Sequence, residues 1–305
     1  MLPNILRKLL SLLLTLFVLA TITFFLMHSV PGGPFDSERA LPAAVKANMA
    51  TSFGLDLPVW KQYTKYIFGM LHGDFGPSYK YIGRDVREMI CESLPISLLL
   101  GVLALGWALL FGLGLGVMSA YKRKSMLSAF TSFFSVSSLS LPSYLLAAAL
   151  VYIFCVRLDI LPPAQWESWR SMILPVITLG MRPAAMVARL IRASLLESLQ
   201  ADYVRTARAK GLSEAVILWK HCLRNSFLPV LSLLGLLVAN IITGSFVVEY
   251  IFAIPGMGKY FIDAVTSRDY PLIMGVTMVY GFALVASNLL VDLAYAWLDP
   301  RIRIV

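Results

Sequence analysis

Six apolar runs, at about residues 9–27, 96–119, 130–156, 172–192, 228–252 and 274–298, alternate with polar breaks along the chain. Each is long enough to cross a hydrocarbon core about 30 Å thick, which takes roughly 20 residues of α-helix. Apolar character is continuous within a run and lacks the two-residue alternation of a membrane β-strand, so the predicted spans are helices that satisfy their own backbone groups. The first run, behind Arg7 and Lys8, exceeds the ~7–15 apolar residues of a secretion signal, and no small-x-small cleavage pattern follows before Pro31. It reads as a retained span. The pattern predicts an all-α integral membrane protein with an N-terminal span (1–27), a small external cap segment (28–95) and a transmembrane core (96–305).

Two polar breaks carry most of the detail. The cap segment opens on Pro31-Gly32-Gly33-Pro34, which cannot continue a helix. Residues 41–53 and 59–71 read as short helices, the second with Trp60, Tyr63 and Tyr66 on one face, and 84–93 reads as a helix near the membrane surface. The break at 193–227 has a helix-turn-helix outline. The fourth span is predicted to run on to Lys210, Gly211 to take the left-handed turn, and Ser213 to cap a second helix with Glu214 in its first turn, ending at Leu228-Pro229. At 100° per residue, Ala215, Val216, Trp219, Cys222, Leu223 and Phe227 share one arc, while Ile217 and Leu218 fall among Glu214, Lys220, His221, Arg224 and Asn225. That wheel predicts Ile217 and Leu218 as exposed knobs for a partner's groove.

Composition agrees with the pattern: 58% of the 305 residues are hydrophobic and 14% charged, against about 25% charged in a soluble domain. Charge placement sets the expected orientation. With the termini on one side, that side collects 14 Lys and Arg against four Asp and Glu, and the other 11 against 11. Both termini and the 193–227 loop are therefore expected in the cytoplasm. The net charge of +9 then faces anionic lipid rather than nucleic acid. Cys91, Cys155 and Cys222 lack metal-like spacing and read as small buried apolar residues. Gly112-x-x-x-Gly116 allows close helix approach, either within the chain or to a second membrane subunit.

No P-loop, nucleophile elbow or HExxH is present, and His28, His72 and His221 are scattered. Nothing suggests an enzyme. Polar groups inside spans are costly and draw functional suspicion: Arg182 in the fourth, Asn240 and Glu249 in the fifth, Asn288 and Asp292 in the sixth. Arg182, Asn240, Glu249 and Asn288 are the substrate-path candidates, with Arg182 expected to meet a carboxylate, either Glu249 or a substrate's C-terminus. A proton-coupled transporter using Glu249 or Asp292 is the alternative on these residues alone.

The 193–227 break resembles the "EAA" loop of permease subunits in ATP-binding-cassette importers. Arg205, Thr206 and Ala207 stand at its first positions, Gly211 at its glycine with Leu212 following, and Ser226-Phe227-Leu228-Pro229 closes it. The form RTARAKGL is similar to the peptide branch, as are ITFFLMHSVPGGPF (22–35), HGDFGPSYKY (72–81), the run from TGSFVVEY to SRDYPL (243–272) and LDPRIRI (298–304). The resemblance spans nearly the whole chain. It implies a multi-pass permease of a bacterial cytoplasmic membrane, the first of two homologous membrane subunits. A second permease, two cytoplasmic ATP-binding subunits holding ATP and Mg, and an external solute-binding protein delivering peptide would complete the system, with no cofactor or metal in this chain. Nickel and glutathione are the alternative cargoes. The loop at about 193–227 would couple to the ATPases through Arg205, Thr206, Ala207, Gly211, Leu212, Ile217, Leu218 and Pro229.

Overall fold

In the computed structural model, residues 2–35, 43–123 and 125–298 are described. They are helical, with an isolated bridge between Pro77 and Asp85 and no named strand among them. The helices are α1 (Leu2–Ser29), α2 (Ala43–Phe53), α3 (Val59–Leu71), α4 (Val86–Tyr121), α5 (Met126–Ser140), α6 (Ser143–Val151, continued by a π-helix Tyr152–Arg157), α7 (Trp169–Ser198), α8 (Asp202–Ala209), α9 (Glu214–Val216, continued by a π-helix Ile217–Cys222), α10 (Leu223–Ile251), α11 (Met257–Ser267) and α12 (Tyr270–Leu298). Five helical stretches are long and apolar enough to cross a membrane, and the bent pair α5–α6 makes a sixth if it is one span. Five of the six expected runs are single long helices among the described residues, and the third is this bent pair.

Their ends differ from the pattern in instructive ways. Residues 84–93 form no separate surface helix: α4 starts at Val86, capped by the Asp85 carboxylate accepting from Arg87 N at 2.8 Å, and continues through Pro95. Proline removes one ladder bond, but burial of Val86, Met89 and Ile90 keeps the segment helical around it. The third run is broken by a 113° bend between α5 and α6. Pro142 is the cause, because its ring pushes Leu141 out of the helical region to φ −81°, ψ 127°.

Two compact units emerge. The first comprises residues 1–97 with 255–286, so the cap segment packs with α11 and most of α12 despite the distance in sequence. Its core gathers Phe24 and Met27 of α1, Val86 and Met89 of α4, and Leu272 and Met274 of α12. The second comprises residues 98–254 with 287–305.

In the second unit α7 is the central helix. Of its apolar window 61% is buried, against 22–33% for the other spans. Gly112 and Gly116 of α4 serve this packing: a Cβ on either would lie within 2.9 Å of the Ala184 or Ala188 carbonyl of α7. The GxxxG face is an intrachain helix contact. From the other side, Ser128, Thr131, Ser135 and Ser138 of α5 are buried, and Arg192 of α7 donates to Ser128 and Ser132 Oγ at 2.9 Å. Cys222 is buried, whereas Cys91 is exposed and Cys155 half-buried, so the small-apolar reading holds for only one cysteine.

Candidate functional site

The expected continuation of the fourth span to Lys210 does not occur. α7 stops at Ser198, residues 199–201 turn, and Ala201 is extended (φ −70°, ψ 152°) before α8 begins at Asp202. No proline or glycine stands at this break. Tertiary burial sets it: Val204 and Ala207 of α8 join Ile191 and Leu195 of α7 in one apolar cluster, which a straight continuation would leave unformed.

The turn that follows is built locally. Gly211 N–H bonds the Arg208 carbonyl at 2.9 Å and Leu212 N–H reaches back to Ala207 O at 3.3 Å, the paired bonds of a Schellman ending. Gly211 has φ +74°, where a side chain is strained even though the space around it is open. Ser213 then caps α9, its Oγ accepting from Val216 N at 3.5 Å and its carbonyl from Ile217 N at 3.0 Å. The Arg208 guanidinium grips Glu214 with both arms, at 2.7 and 3.2 Å, and ties the two helices across the turn.

Ile217 is not an exposed knob. It is fully buried, Leu218 is half-buried, and the side chains left in solvent are Val216 at 40% and Trp219 at 61%. The π-helix from Ile217 to Cys222 accounts for part of this: Ile217 and Cys222, five positions apart, both face inward, whereas a wheel drawn at 100° per residue separates them by about 140°. With Tyr203 and Leu212 also exposed, this segment presents four large apolar side chains beside Arg205, Lys210 and Lys220. Of the other sequence candidates, Arg205 and Thr206 are exposed and Ala207 is buried. Pro229, expected near the end of the second helix, lies inside α10.

Helical structure runs without interruption from Glu214 to Ile251, 38 residues. The segment is therefore a helical extension of the fifth span, while its link to the fourth is a turn. A hydroxyl contact, Ser226 Oγ to Ser198 Oγ at 3.1 Å, supplements that turn.

The polar span residues do not form one site. Arg182 is exposed and Glu249 fully buried, and no ion pair joins them among the described residues. Asn288 is exposed and packs on α10, where a Cβ on Gly235 would meet its Oδ1 at 2.9 Å; Asn240 Nδ2 donates to Leu236 O of its own helix at 2.9 Å. The side chain of Asp292 lies outside the described residues.

The first unit has its own polar centre, around Asp269. This buried carboxylate accepts from Ser78 Oγ, from Tyr79 N at 3.1 Å, from Lys80 N at 3.3 Å and from Leu272 N at 3.4 Å, the last capping α12. Beside it Gly32 takes φ +96°, where a side chain would be strained, and the Arg268 guanidinium lies where a Cβ would be. Burial, and then the Asp263 carboxylate, push the Tyr81 phenol up to about 12, so it remains a donor to Asp263 Oδ2 at 3.3 Å. An adjacent cleft of about 570 Å³ is lined by His28, Gln62, Lys65, Asp74, Tyr79 and aromatic rings, a volume in the range of small-molecule sites. None of Arg182, Asn240, Glu249 and Asn288 lines it.

Residues 112–304 match the family described as "Binding-protein-dependent transport system inner membrane component", and residues 1–100 match its N-terminal companion. The chain belongs to this family. It is similar to the dipeptide transport system permease protein DppB of Bacillus subtilis, 46% identical over 95% of this chain and 94% of that one. It is also similar to the oligopeptide transport system permease protein OppB of Haemophilus influenzae, 41% identical over 99% and 100%. Among solved structures, an amino acid ABC transporter with histidines aligns with TM-score 0.54 at 18% identity, covering 69% of this chain and 94% of that one. The MetNI methionine ABC transporter, inward-facing, aligns with TM-score 0.51 at 17% identity over 67% and 95%. These two share the fold.

As a member of this family the chain is a multi-pass transport subunit and not an enzyme. Membership does not favour the proton-coupled alternative. Two of this transport subunit's notable residues escaped the sequence reading. Trp219 shares an arc with other apolar residues on the wheel and was not among the predicted knobs, yet it lies in the π-helix 61% exposed. Asp269 carried a visible cue, an acidic residue one position before α12, but its partners at 78–80 are about 190 residues away in sequence.

Proposed function

We propose that this chain is the first of two membrane permease subunits of an ATP-driven peptide importer in a bacterial cytoplasmic membrane. A homologous permease completes the pathway, two cytoplasmic ATP-binding subunits supply ATP and Mg chemistry, and an external solute-binding protein delivers the peptide. The names of the relatives support dipeptides or oligopeptides as cargo, and nickel or glutathione gains no support from them. The observation that carries the mechanism is the continuous helical run from Glu214 to Ile251, whose end presents Val216 and Trp219 behind the Gly211 turn. Exposed large apolar residues beside basic ones are the make-up of a docking surface, and an exposed tryptophan is the usual kind of anchor. Closure of the ATPase dimer moves that end, and a helix continuous with the fifth span converts the movement into tilt.

Arg182 fits the same scheme. A guanidinium in the middle of a span does not rest in lipid, so its exposed face belongs on the pathway, where a peptide carboxylate would meet it. The test is to co-express the four membrane and ATPase subunits and purify the assembly. Trp219→Ala should sharply reduce ATPase co-purification or peptide-stimulated ATP hydrolysis, with both permease subunits still paired. Full stoichiometry and full stimulation would refute the docking role.

A further inference from the structure

Helix α3 has a side that the rest of its unit leaves uncovered. Tyr63, Tyr66, Ile67 and Met70 pack onto the core of the first unit, and Gln62, Lys65 and Gly69 border the cleft. Trp60, Phe68 and Leu71 remain 63%, 67% and 73% exposed. At about 100° per residue these three fall within an arc of roughly 80°. Thr64 lies in the same arc, and its hydroxyl is turned back onto the Lys61 carbonyl at 3.1 Å. Lys61 and Lys65 stand along one edge of the arc, the Lys61 ammonium 5.5 Å from the centre of the Trp60 ring. A helix of 13 residues with an uncovered Trp, Phe and Leu on one side is unsuited to water.

Its depth is set by contacts to α1. Tyr63 Oη lies 2.8 Å from Thr21 Oγ1, and the Tyr63 ring stacks on Phe25 with centroids 5.4 Å apart. His28 Nε2 is 3.2 Å from Gln62 Oε1, and Gln62 Nε2 donates to Leu55 O at 3.2 Å and Leu57 O at 2.8 Å, which holds the amide in place. The apolar window of α1 ends at Ser29. Thr21 lies eight residues before that end, about 12 Å at 1.5 Å per residue. The first half of α3 is therefore strapped alongside the last two turns of a membrane span. Gln62 meets α1 at His28, about 1.5 Å before that end, and Tyr63 meets it about 12 Å before, so the two contacts bracket the 5–10 Å by which interfacial helices bury their apolar face. On α1 itself Ile22, Phe25 and Leu26 are 58%, 47% and 62% exposed, so the uncovered apolar surface continues from the span onto α3 through the Phe25–Tyr63 stack.

We infer that α3 is an interfacial helix seated in the cap-side leaflet, with phospholipid as the occupant of its uncovered face. Trp60, Phe68 and Leu71 enter the upper acyl-chain region. The apolar stems of Lys61 and Lys65 follow them, and the ammonium groups reach the phosphates. Trp is the residue of the membrane–water boundary, and a Lys pair beside it is the complementary partner of a phosphate layer. The inference goes beyond the importer reading, because it concerns what surrounds the cap whichever cargo passes. It gives the cap a fixed height: the bilayer holds α3, and Tyr63–Thr21 and Gln62–His28 hold α3 to the first span.

Spin labelling of the assembled complex in phospholipid nanodiscs tests it. Cys91, Cys155 and Cys222 are replaced by Ser, and single labels are placed by Thr64→Cys, Phe68→Cys and Leu71→Cys, with Asp56→Cys as the solvent-exposed control. Collision with molecular oxygen and with a water-soluble nickel chelate is measured for each. The expected result is a several-fold higher oxygen-to-nickel ratio at 64, 68 and 71 than at 56. A nickel-favoured signal would place the face in water, and low collision with both reagents would place a protein partner on it; either overturns the inference. Should the cysteine-free complex fail to assemble, the wild-type fluorescence is read against Trp60→Phe. Quenching of the Trp60 component by shallowly brominated lipids supports the lipid seat, and quenching by aqueous iodide alone refutes it.

Discussion

The two polar turns of this molecule, Gly211 in the second unit and Asp269 in the first, are held in opposite ways. At Gly211 the bonds that shape the turn are local: the Schellman pair, the Ser213 cap and the Arg208–Glu214 fork all join residues within six positions of one another, and the longer-range Ser226–Ser198 contact only supplements them. At Asp269 one buried carboxylate gathers donors from residues 78–80 and from the start of α12. A local turn stays geometrically defined when its surroundings move, which suits a segment that is pushed. A long-range hub is only as good as the packing that brings its parts together, which suits a cap that should hold still.

Disrupting the hub should have the largest effect. Asp269→Ala strands buried donors that had a charged acceptor, each worth about 1.5–3 kcal/mol. The expected outcome is a fall of several degrees in the thermal unfolding midpoint of the purified complex, with Asp269→Asn milder. An unchanged midpoint in both would show that the hub is not structural. Gly211→Val comes next. The left-handed conformation costs a side chain roughly 1–2 kcal/mol, and the misdirected α9 should uncouple ATP hydrolysis from transport with the midpoint barely altered. Wild-type coupling ratios in a transport assay would break the contrast between the two turns. Arg208→Ala should matter least. Its pair with Glu214 is exposed and screened, so stability should not change measurably, while ATPase stimulation should drop modestly and more at low salt than at high. An effect larger than that of Gly211→Val would mean that the ion pair, and not the backbone, sets the angle of the turn.

The same contrast explains which parts of the fold were legible. Hydrophobic runs specify spans because the bilayer imposes one length and one backbone solution on them. Gly211, Ser213 and Glu214 were readable because capping chemistry acts over three or four residues. The break after Ser198 was not readable, since no breaker residue marks it and burial of Val204 and Ala207 alone makes it. The exposure of Trp219 was not readable either, because it lies within a π-helix, which has no sequence sign of comparable strength and shifts the angular register of the wheel. Pro95 and Pro229 mislead in the other direction: both stand inside helices that packing keeps continuous.

By itself, then, the amino-acid sequence determined that this is a six-run helical membrane protein, where its basic segment turns, and which family it joins. Those properties follow from transfer free energy and from bonds between near neighbours, and both are written in consecutive residues. Tertiary structure alone decided that the basic segment extends the fifth span rather than the fourth. It also decided that Val216 and Trp219 face outward in place of Ile217 and Leu218, that the GxxxG face is spent on α7, and that Asp269 binds the cap. Each of these depends on which apolar surfaces meet, and residues far apart in the chain settle that together.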